Sequence, residues 1–298
     1  MYAVIDIGSN TIRLSLYKVE NKTITLMLNK KITAGLAGYI ENKQMSLAGI
    51  EKGEEALAAL TSLLSYIHVR RLVCFATAPL RGIDNAEEVK ARFEKACGAQ
   101  ITILSGEEEA ELDYFGAKQT FTEKEGLIVD IGGGSTELVY FKDDGPVFSK
   151  SLPFGSLVMY RRHVKDILPL KIEMLLIEKE VVKMLEKTFP EKYMINQICG
   201  IGGTIRGCGK VLAASTGEKK KTEKYTPQDL ACLLKMKKSA AADLILKTEP
   251  ERIHTILPGA CILHAVSLFF DAKSIRVSKT GVREGCLAKL LAENAGED

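Results

Sequence analysis

Residues 127–138 read LIVDIGGGSTEL. The apolar run ends at Asp130, and three glycines separate it from a second apolar run after Glu137, which predicts a strand, a tight turn and a strand. Glycine permits positive φ angles and close approach of a ligand, and successive N–H groups in such a turn form a concave anion site. Asp130 is placed at the strand end, where it could hold a hard cation such as Mg2+. The stretch therefore predicts a phosphate loop with a metal-binding carboxylate beside it.

The same pattern occurs at the N-terminus, where residues 2–16 read YAVIDIGSNTIRLSL. Asp6 precedes this turn and lies 124 positions before Asp130 (130 − 6), about the length of one domain. One such stretch alone could be a plain hairpin turn, but two in register predict two similarly folded halves that present glycine turns to a shared cleft. We therefore expect an N-terminal domain over 1–124 and a C-terminal domain over 125–298.

Composition limits the classes of protein that the chain can represent. The 298 residues are 46% hydrophobic and 27% charged, enough for two domains with real cores. A net charge of +3 is too small to favour duplex nucleic acid as a partner. Seven cysteines without a C-x-x-C pair favour a reduced compartment. Four histidines show no metal-ligand spacing and are expected to be core or surface residues. With no signal peptide and no apolar run of membrane length, we expect a cytoplasmic protein without a membrane partner.

The order of elements predicts the fold class. Each half reads as three strands followed by alternating helices and strands, which is typical of a mixed α/β sheet covered by helices. Ser46 is predicted to cap a helix that runs to about residue 68, and Asp84 to cap another. Residues 215–224 read as a polar, lysine-rich loop.

Two further stretches bring polar groups to strand ends. Arg81, within FATAPLRGIDN at 75–85, offers a planar fork suited to phosphate oxygens, although a solvated loop arginine is the simpler interpretation. In LSGEEEA at 104–110, Ser105 and Glu108 form a capping-box pattern. That pattern ties Glu108 to the backbone and leaves Glu109 to point elsewhere, whereas the simpler alternative is that all three glutamates form a charged face.

A third glycine turn occurs in ICGIGGTIR at 198–206. Gly202, Gly203 and Thr204 stand directly before a predicted helix, and this arrangement can seat an anion at the helix N-terminus. Later, RVSKTGVREGCL at 276–287 places three polar side chains just past a strand: Ser278, Arg283 and Glu284.

Taken together, these motifs resemble those of the exopolyphosphatase / guanosine pentaphosphate phosphatase (Ppx/GppA) family. They occur in the same order along the sequence as in the family and cover nearly the whole chain. The resemblance implies two RNase H-like domains of the actin, sugar kinase and Hsp70 superfamily, flanking a cleft. The segments that carry it are DIGSNTIRL (6–14), ATAPLR…N (76–85), LSGEEEAELDYFG (104–116), VDIGGGSTELV (129–139), GIGGTIR (200–206) and VSKTGVREG (277–285).

The resemblance also implies roles for single residues. Glu109 would orient the attacking water, and Arg81 would bind phosphate. The acidic residues linked to Mg2+ would be Asp6, Asp130 and Glu137. The phosphate chain would be held by Gly8, Ser9 and Asn10, by Gly132, Gly133, Gly134 and Ser135, and by Gly202, Gly203 and Thr204.

The chain departs from the family pattern in three places. The usual Arg-Leu-Gly-Glu-Gly loop reads TAGLAG at 33–38, without its arginine and glutamate. Pro79 and Gly82 alter the arginine loop. The sequence ends at residue 298, which predicts a short form without the C-terminal helical domain of longer members.

The expected chemistry is hydrolysis of a terminal phosphoanhydride. The leading prediction is an exopolyphosphatase acting on inorganic polyphosphate, with hydrolysis of the 5′-phosphate of guanosine pentaphosphate (pppGpp) as the near alternative. A non-catalytic sensor of polyphosphate or guanosine tetra- and pentaphosphates is the alternative of another class, and a kinase would need a sugar or acid pocket. The lysines at 219, 220, 221 and 224 form either a solvated loop or a weak track for polyphosphate. The sequence does not decide between a monomer and a homodimer.

Overall fold

A computed structural model describes residues 1–20, 23–143 and 145–294. Two units emerge from the chain: residues 1–109 with the described part of 286–298, and residues 110–285. The predicted boundary between 124 and 125 stays a prediction, and the last four residues of the predicted second domain lie outside the described residues.

The first unit is built on a five-stranded sheet. β1 is antiparallel to β2, which is antiparallel to β3, whereas β6 and β7 continue the sheet in parallel on the other side of β1. β1 is buried along nearly its whole length, as its apolar run predicts. The strand order is β3-β2-β1-β6-β7, and the bounds are β1 Tyr2–Ile7, β2 Thr11–Glu20, β3 Thr23–Thr33, β6 Arg71–Ala76 and β7 Ile101–Ile103. Two short strands, β4 Ile40–Glu41 and β5 Gln44–Met45, form a separate hairpin.

Among the described residues, two helices lie wholly in the first unit, α1 Leu47–Thr61 and α2 Ala86–Cys97. Ser46 caps α1, as predicted, but α1 ends at Thr61 and a 3-10 helix follows over Ser62–Tyr66. Asn85, and not the predicted Asp84, occupies the N-cap position of α2, and its side chain makes no capping hydrogen bond to the helix. The Asn85 side chain bridges the backbone N–H and C=O of Met45, both at 3.0 Å, and this long-range contact fixes where the helix begins.

The second unit repeats the strand order of the first and adds one edge strand. The order β10-β9-β8-β11-β13-β12 places antiparallel β8, β9 and β10 beside the parallel strands β11 and β13. The bounds are β8 Glu125–Ile131, β9 Thr136–Lys142, β10 Gly145–Leu152, β11 Gln197–Ile201, β12 Lys224–Tyr225 and β13 Ser274–Val277. β12 begins at Lys224, the last residue of the predicted lysine-rich loop, where pairing with β13 makes a short strand that local sequence does not specify.

The second sheet is covered on both faces. Its larger core contains β-strand residues such as Val129 and Leu138 together with residues of α5, α6 and α9. On the other face, Ile128 and Cys199 pack against Ala110 and Tyr114 of α3. The remaining helices are α3 Gly106–Ala117, α4 Ser156–His163, α5 Lys171–Thr188, α6 Gly202–Thr216, α7 Pro227–Lys235, α8 Lys238–Thr248, α9 Ile256–Phe269 and α10 Val282–Asn294. Residues 106–109 of α3 and 286–294 of α10 belong to the first unit.

Over the described part of the chain, none of the helices combines the length and the apolar character needed to span a membrane.

Candidate active site

The β1–β2 turn in the first unit is a tight hairpin loop. Gly8 donates its N–H to the Thr11 carbonyl at 3.0 Å, and a Cβ at position 8 would lie 3.2 Å from that oxygen. The carbonyls of Ser9 and Asn10 accept hydrogen bonds from the N–H groups of Ala37 and Gly35, both at 2.9 Å. The loop that departs from the family pattern therefore supports the first glycine turn through its backbone.

The β8–β9 turn in the second unit has the same geometry 124 positions later (132 − 8). Gly132 donates to the Ser135 carbonyl at 3.0 Å, and a Cβ on Gly132 would lie 3.3 Å from that oxygen. The two hairpins inferred from the sequence are thus alike at the level of single hydrogen bonds.

Helix α4 fixes the second turn from behind. Ser156 and Leu157, at its N-terminus, donate backbone N–H groups to the carbonyls of Gly132 and Gly133 at 2.9 and 3.1 Å. A Cβ on Gly155 would lie 2.5 Å from the Gly133 carbonyl carbon, so only glycine fits there. Because the loop carbonyls bond to α4, and the N–H groups of Gly133 and Gly134 donate to no protein group among the described residues, the loop retains donors for an anion.

Two carboxylates lie side by side next to this turn. Asp130 pairs directly with Glu137 across the β8–β9 ladder, so both side chains are on the same face of the sheet. Glu137 is 1% exposed and accepts a hydrogen bond from Ser151 Oγ at 2.8 Å. In the first unit the equivalent register sets Asp6 opposite Arg13. The two aspartates occupy equivalent positions in the sequence, but the cross-strand partner of Asp6 is a cation and that of Asp130 is an anion.

The Asp130 and Glu137 pair fits a magnesium ion. Within residues 1–20, 23–143 and 145–294, no three Asp, Glu, His or Cys side chains come together as a metal-binding group. Mg2+ commonly uses one or two carboxylates together with water and substrate phosphate oxygens. Two adjacent carboxylates beside a glycine turn are compatible with that requirement, and the magnesium site stays a prediction.

Helix α3 places two neighbouring glutamates in different environments. Glu108 accepts a hydrogen bond from the Ser105 N–H at 2.7 Å, and the Glu108 N–H donates to Ser105 Oγ at 3.1 Å, which confirms the predicted capping box. Glu109 points elsewhere, is 8% exposed, and accepts a hydrogen bond from Arg81 Nη2 at 2.5 Å. The structure thus brings together Arg81 and Glu109, which are 28 residues apart in the sequence.

The third glycine turn is shaped by the side chains around it. Gly202 has φ of 87°, and a Cβ there would lie 2.3 Å from Asp130 Oδ1. A Cβ on Gly203 would lie 2.1 Å from Arg252 Nη2. Thr204 is 2% exposed and packs against Gly259, so its proposed phosphate contact stays a prediction. The turn therefore brings an aspartate and an arginine against the N-terminus of α6.

Sequence analysis missed two arginines near this turn. Burial lowers the pKa of the Arg206 guanidinium, Arg283 and Arg252 lower it further, and Asp130 acts in the opposite direction. Arg206 Nη1 also donates to the Ser278 carbonyl at 3.5 Å. Arg206 lies within the GIGGTIR motif, so its place near the glycine turn could have been predicted from the sequence. Arg252 lies in none of the motifs, and no local pattern predicts its contact with the turn.

His254 provides a test of the electrostatics near Arg252. Burial, followed by the charges of Arg252 and Arg161, lowers the pKa of His254 below its ordinary value. Because the unfolded state then binds more protons, we expect the free energy of unfolding to fall as pH drops below about 6.5. His254→Gln should flatten this slope, relative to the parent, in denaturant titrations across that range. An unchanged slope in His254→Gln would contradict the assignment.

These features define a class of protein. Two α/β sheets of the same strand order each carry a glycine turn that follows an aspartate, which is the arrangement of a phosphate-binding protein with internally repeated loops. The chain belongs to the Ppx/GppA phosphatase family, whose sequence model matches residues 15–294.

Solved structures show the same fold. The Aquifex aeolicus Ppx/GppA family member is 24% identical, with a TM-score of 0.80 and coverage of 98% of both chains. An exopolyphosphatase from Cytophaga hutchinsonii is 22% identical, with a TM-score of 0.85 and the same coverage. These likenesses confirm the predicted α/β class with two sheet-containing units.

Curated relatives carry two different names. A guanosine-5′-triphosphate,3′-diphosphate pyrophosphatase of Pseudoalteromonas translucida is 29% identical over 100% of this chain and 61% of its own length. A putative exopolyphosphatase of Haemophilus influenzae is 27% identical over 97% of this chain and 90% of its own length. The chain thus spans 61% of the first relative and most of the second.

Proposed function

We propose that the protein is a phosphoanhydride hydrolase that removes terminal phosphates from inorganic polyphosphate. The observation that carries this proposal is the Arg81–Glu109 pair, in which a nearly buried carboxylate is held by a guanidinium while Glu108 is occupied by the capping box. A carboxylate held in this way can orient water, and an arginine beside it can bind the phosphate that the water attacks.

The reaction can be assigned to named groups. A water molecule attacks the terminal phosphorus and the bridging P–O bond breaks. The products are orthophosphate and a polyphosphate chain that is shorter by one phosphate. Glu109 orients the water and accepts its proton, while Arg81 binds the phosphate oxygens. A guanidinium has five N–H donors, so one arginine can contact a carboxylate and a phosphate together.

The glycine turn at 132–135 and the carboxylates beside it are proposed to stabilise charge on bound phosphate. The loop of 132–135 offers backbone N–H groups for phosphate oxygens, in the manner of an oxyanion hole. Asp130 and Glu137 would hold Mg2+, which when bound neutralises negative charge on the phosphoryl group. Ser151 orients the Glu137 carboxylate through its hydrogen bond.

Hydrolysis of the 5′-phosphate of pppGpp is the second candidate. The observation in its favour is the 29% identity to a guanosine-5′-triphosphate,3′-diphosphate pyrophosphatase. Both reactions break the same kind of bond, so the residues proposed above serve either one.

A phosphate-release assay tests the proposal directly. Long-chain polyphosphate, pppGpp and ATP are compared side by side with Mg2+, with Glu109→Gln as the matched control. We expect release from polyphosphate that exceeds release from the other two substrates. Preference for pppGpp would select the second candidate, and release that is equal in parent and control would contradict both.

The Arg81–Glu109 contact changes what is expected of an arginine variant. A phosphate contact alone would make Arg81→Ala raise KM more than it lowers kcat. Since Arg81 also holds Glu109 at 2.5 Å, we expect kcat to fall as well, on the order of 10²-fold if Glu109 is misplaced by about 1 Å. Arg81→Lys, which keeps the charge without the fork, should recover part of kcat. Steady-state kinetics on polyphosphate would reveal a pure KM effect if the contact does not position Glu109.

A further inference from the structure

A basic cavity in the second unit lies outside the candidate active site. Its volume is about 570 Å³, within the range of small-molecule pockets. Four basic side chains and one acidic side chain line it, together with the aromatic Phe121; these charged residues are Lys220, Glu223, Lys224, Arg276 and Lys279. We propose that this cavity is a second, non-catalytic site that holds a stretch of phosphate chain.

The strand pairing sets two cations against each other. Lys224 on β12 lies directly opposite Arg276 on β13 in an antiparallel register. Side chains in such a pair project to the same face, and like charges directly opposite destabilise the pairing. A phosphate group bound between Lys224 and Arg276 would convert this repulsion into two attractive contacts.

The lysine run is divided by its tertiary contacts. Lys221 donates to Asp229 at 2.7 Å and is therefore engaged by a carboxylate. Lys220 and Lys224 are exposed, line the cavity, and form no ion pair within the described part of the chain. Of the lysines in this run, Lys220 and Lys224 are therefore the ones that we assign as anion ligands in the cavity.

The acidic groups near the cavity hold their partners weakly. Glu223 lies 3.7 Å from Lys279 and Glu123 lies 3.6 Å from Arg276, with side chains that are 37–82% exposed. Exposed ion pairs of this kind contribute about 0–1 kcal/mol. A phosphate chain can therefore displace these carboxylates at small cost.

The lining favours a phosphate chain over a nucleotide. Phe121 is 1% exposed, and the Arg276 guanidinium lies 5.8 Å from its ring centroid, so the ring offers no open face for a base. Lysine ammonium groups bind phosphates as point charges and do not require a nucleoside. The chemistry therefore matches a linear polyphosphate segment.

Binding of inorganic phosphate chains tests the site without turnover. Lys220→Gln/Lys224→Gln is compared with Lys183→Gln/Lys187→Gln, two exposed lysines of α5, by calorimetric titration with long-chain polyphosphate in the presence of a metal chelator. At low salt we expect the cavity variant to bind roughly 10-fold more weakly and the control to bind within about 2-fold of the parent. The slope of log K against log salt should fall by about 2 for the cavity variant. Equal affinities for both variants would overturn the proposal.

Lysine acetylation followed by mass spectrometry locates the bound chain. Tripolyphosphate should slow modification of Lys220 and Lys224 but not of Lys183 and Lys187. Uniform protection would mean that anions bind the surface without a site, and protection that requires pppGpp would mean a nucleotide site; either result contradicts the proposal.

The inference rests on the proposed function for its choice of ligand, but the two can fail separately. Protection of the cavity lysines without phosphate release by the parent would leave the site standing and remove the hydrolase. Phosphate release by the parent together with unprotected cavity lysines would support the hydrolase and remove the second site.

Discussion

Glu109→Gln is expected to lower kcat on polyphosphate by roughly 10²–10⁴-fold while substrate affinity stays within a few-fold. Glutamine has nearly the same shape as glutamate but cannot accept a proton from water, so the loss should fall on the chemical step. We assign the reactive role to Glu109 among three consecutive glutamates because it is buried and accepts a hydrogen bond from Arg81.

Glu108→Gln is the matched control for that experiment. A glutamine can still close the capping box with Ser105, so the helix should form and most activity should remain. Thermal unfolding of both variants separates a loss of stability from a loss of chemistry. If Glu108→Gln is inactive and Glu109→Gln is active, the assignment of the two residues is wrong.

Asp130→Asn is expected to weaken metal binding by at least about 10-fold, since even indirect partners of a metal site contribute 10–100-fold. Asp130 lies opposite Glu137, so the variant removes one of two adjacent carboxylates. Mn2+ binding followed by electron paramagnetic resonance measures this without relying on activity. The Mg2+ concentration needed for half-maximal phosphate release should rise in parallel.

Asp6→Asn is the natural comparison, because the sequence makes Asp6 equivalent to Asp130. Asp6 lies opposite Arg13, and a cation beside a carboxylate opposes the binding of a second cation. We therefore expect Asp6→Asn to affect Mn2+ binding less than Asp130→Asn does. An equal or larger effect of Asp6→Asn would instead make Asp6 the principal metal ligand.

The sequence by itself determined the features that depend on neighbouring residues. The two hairpins at 6–14 and 129–139, the capping box of Ser105 and Glu108, and the order of strands and helices along each half follow from local patterns. Such features are readable because a glycine turn or a helix cap uses backbone groups only a few residues away.

Only the tertiary structure decided which distant side chains meet. Arg81 reaches Glu109 and Arg252 reaches Gly203 through contacts that no local pattern encodes. The end of α1 and the pairing of β12 were also set by packing and not by propensity. The lysine run shows this most clearly, since Lys221 bonds to Asp229 while its neighbour Lys220 lines a cavity. A run of lysines in the sequence does not show where each side chain points, because the strands and helices packed around it fix that direction.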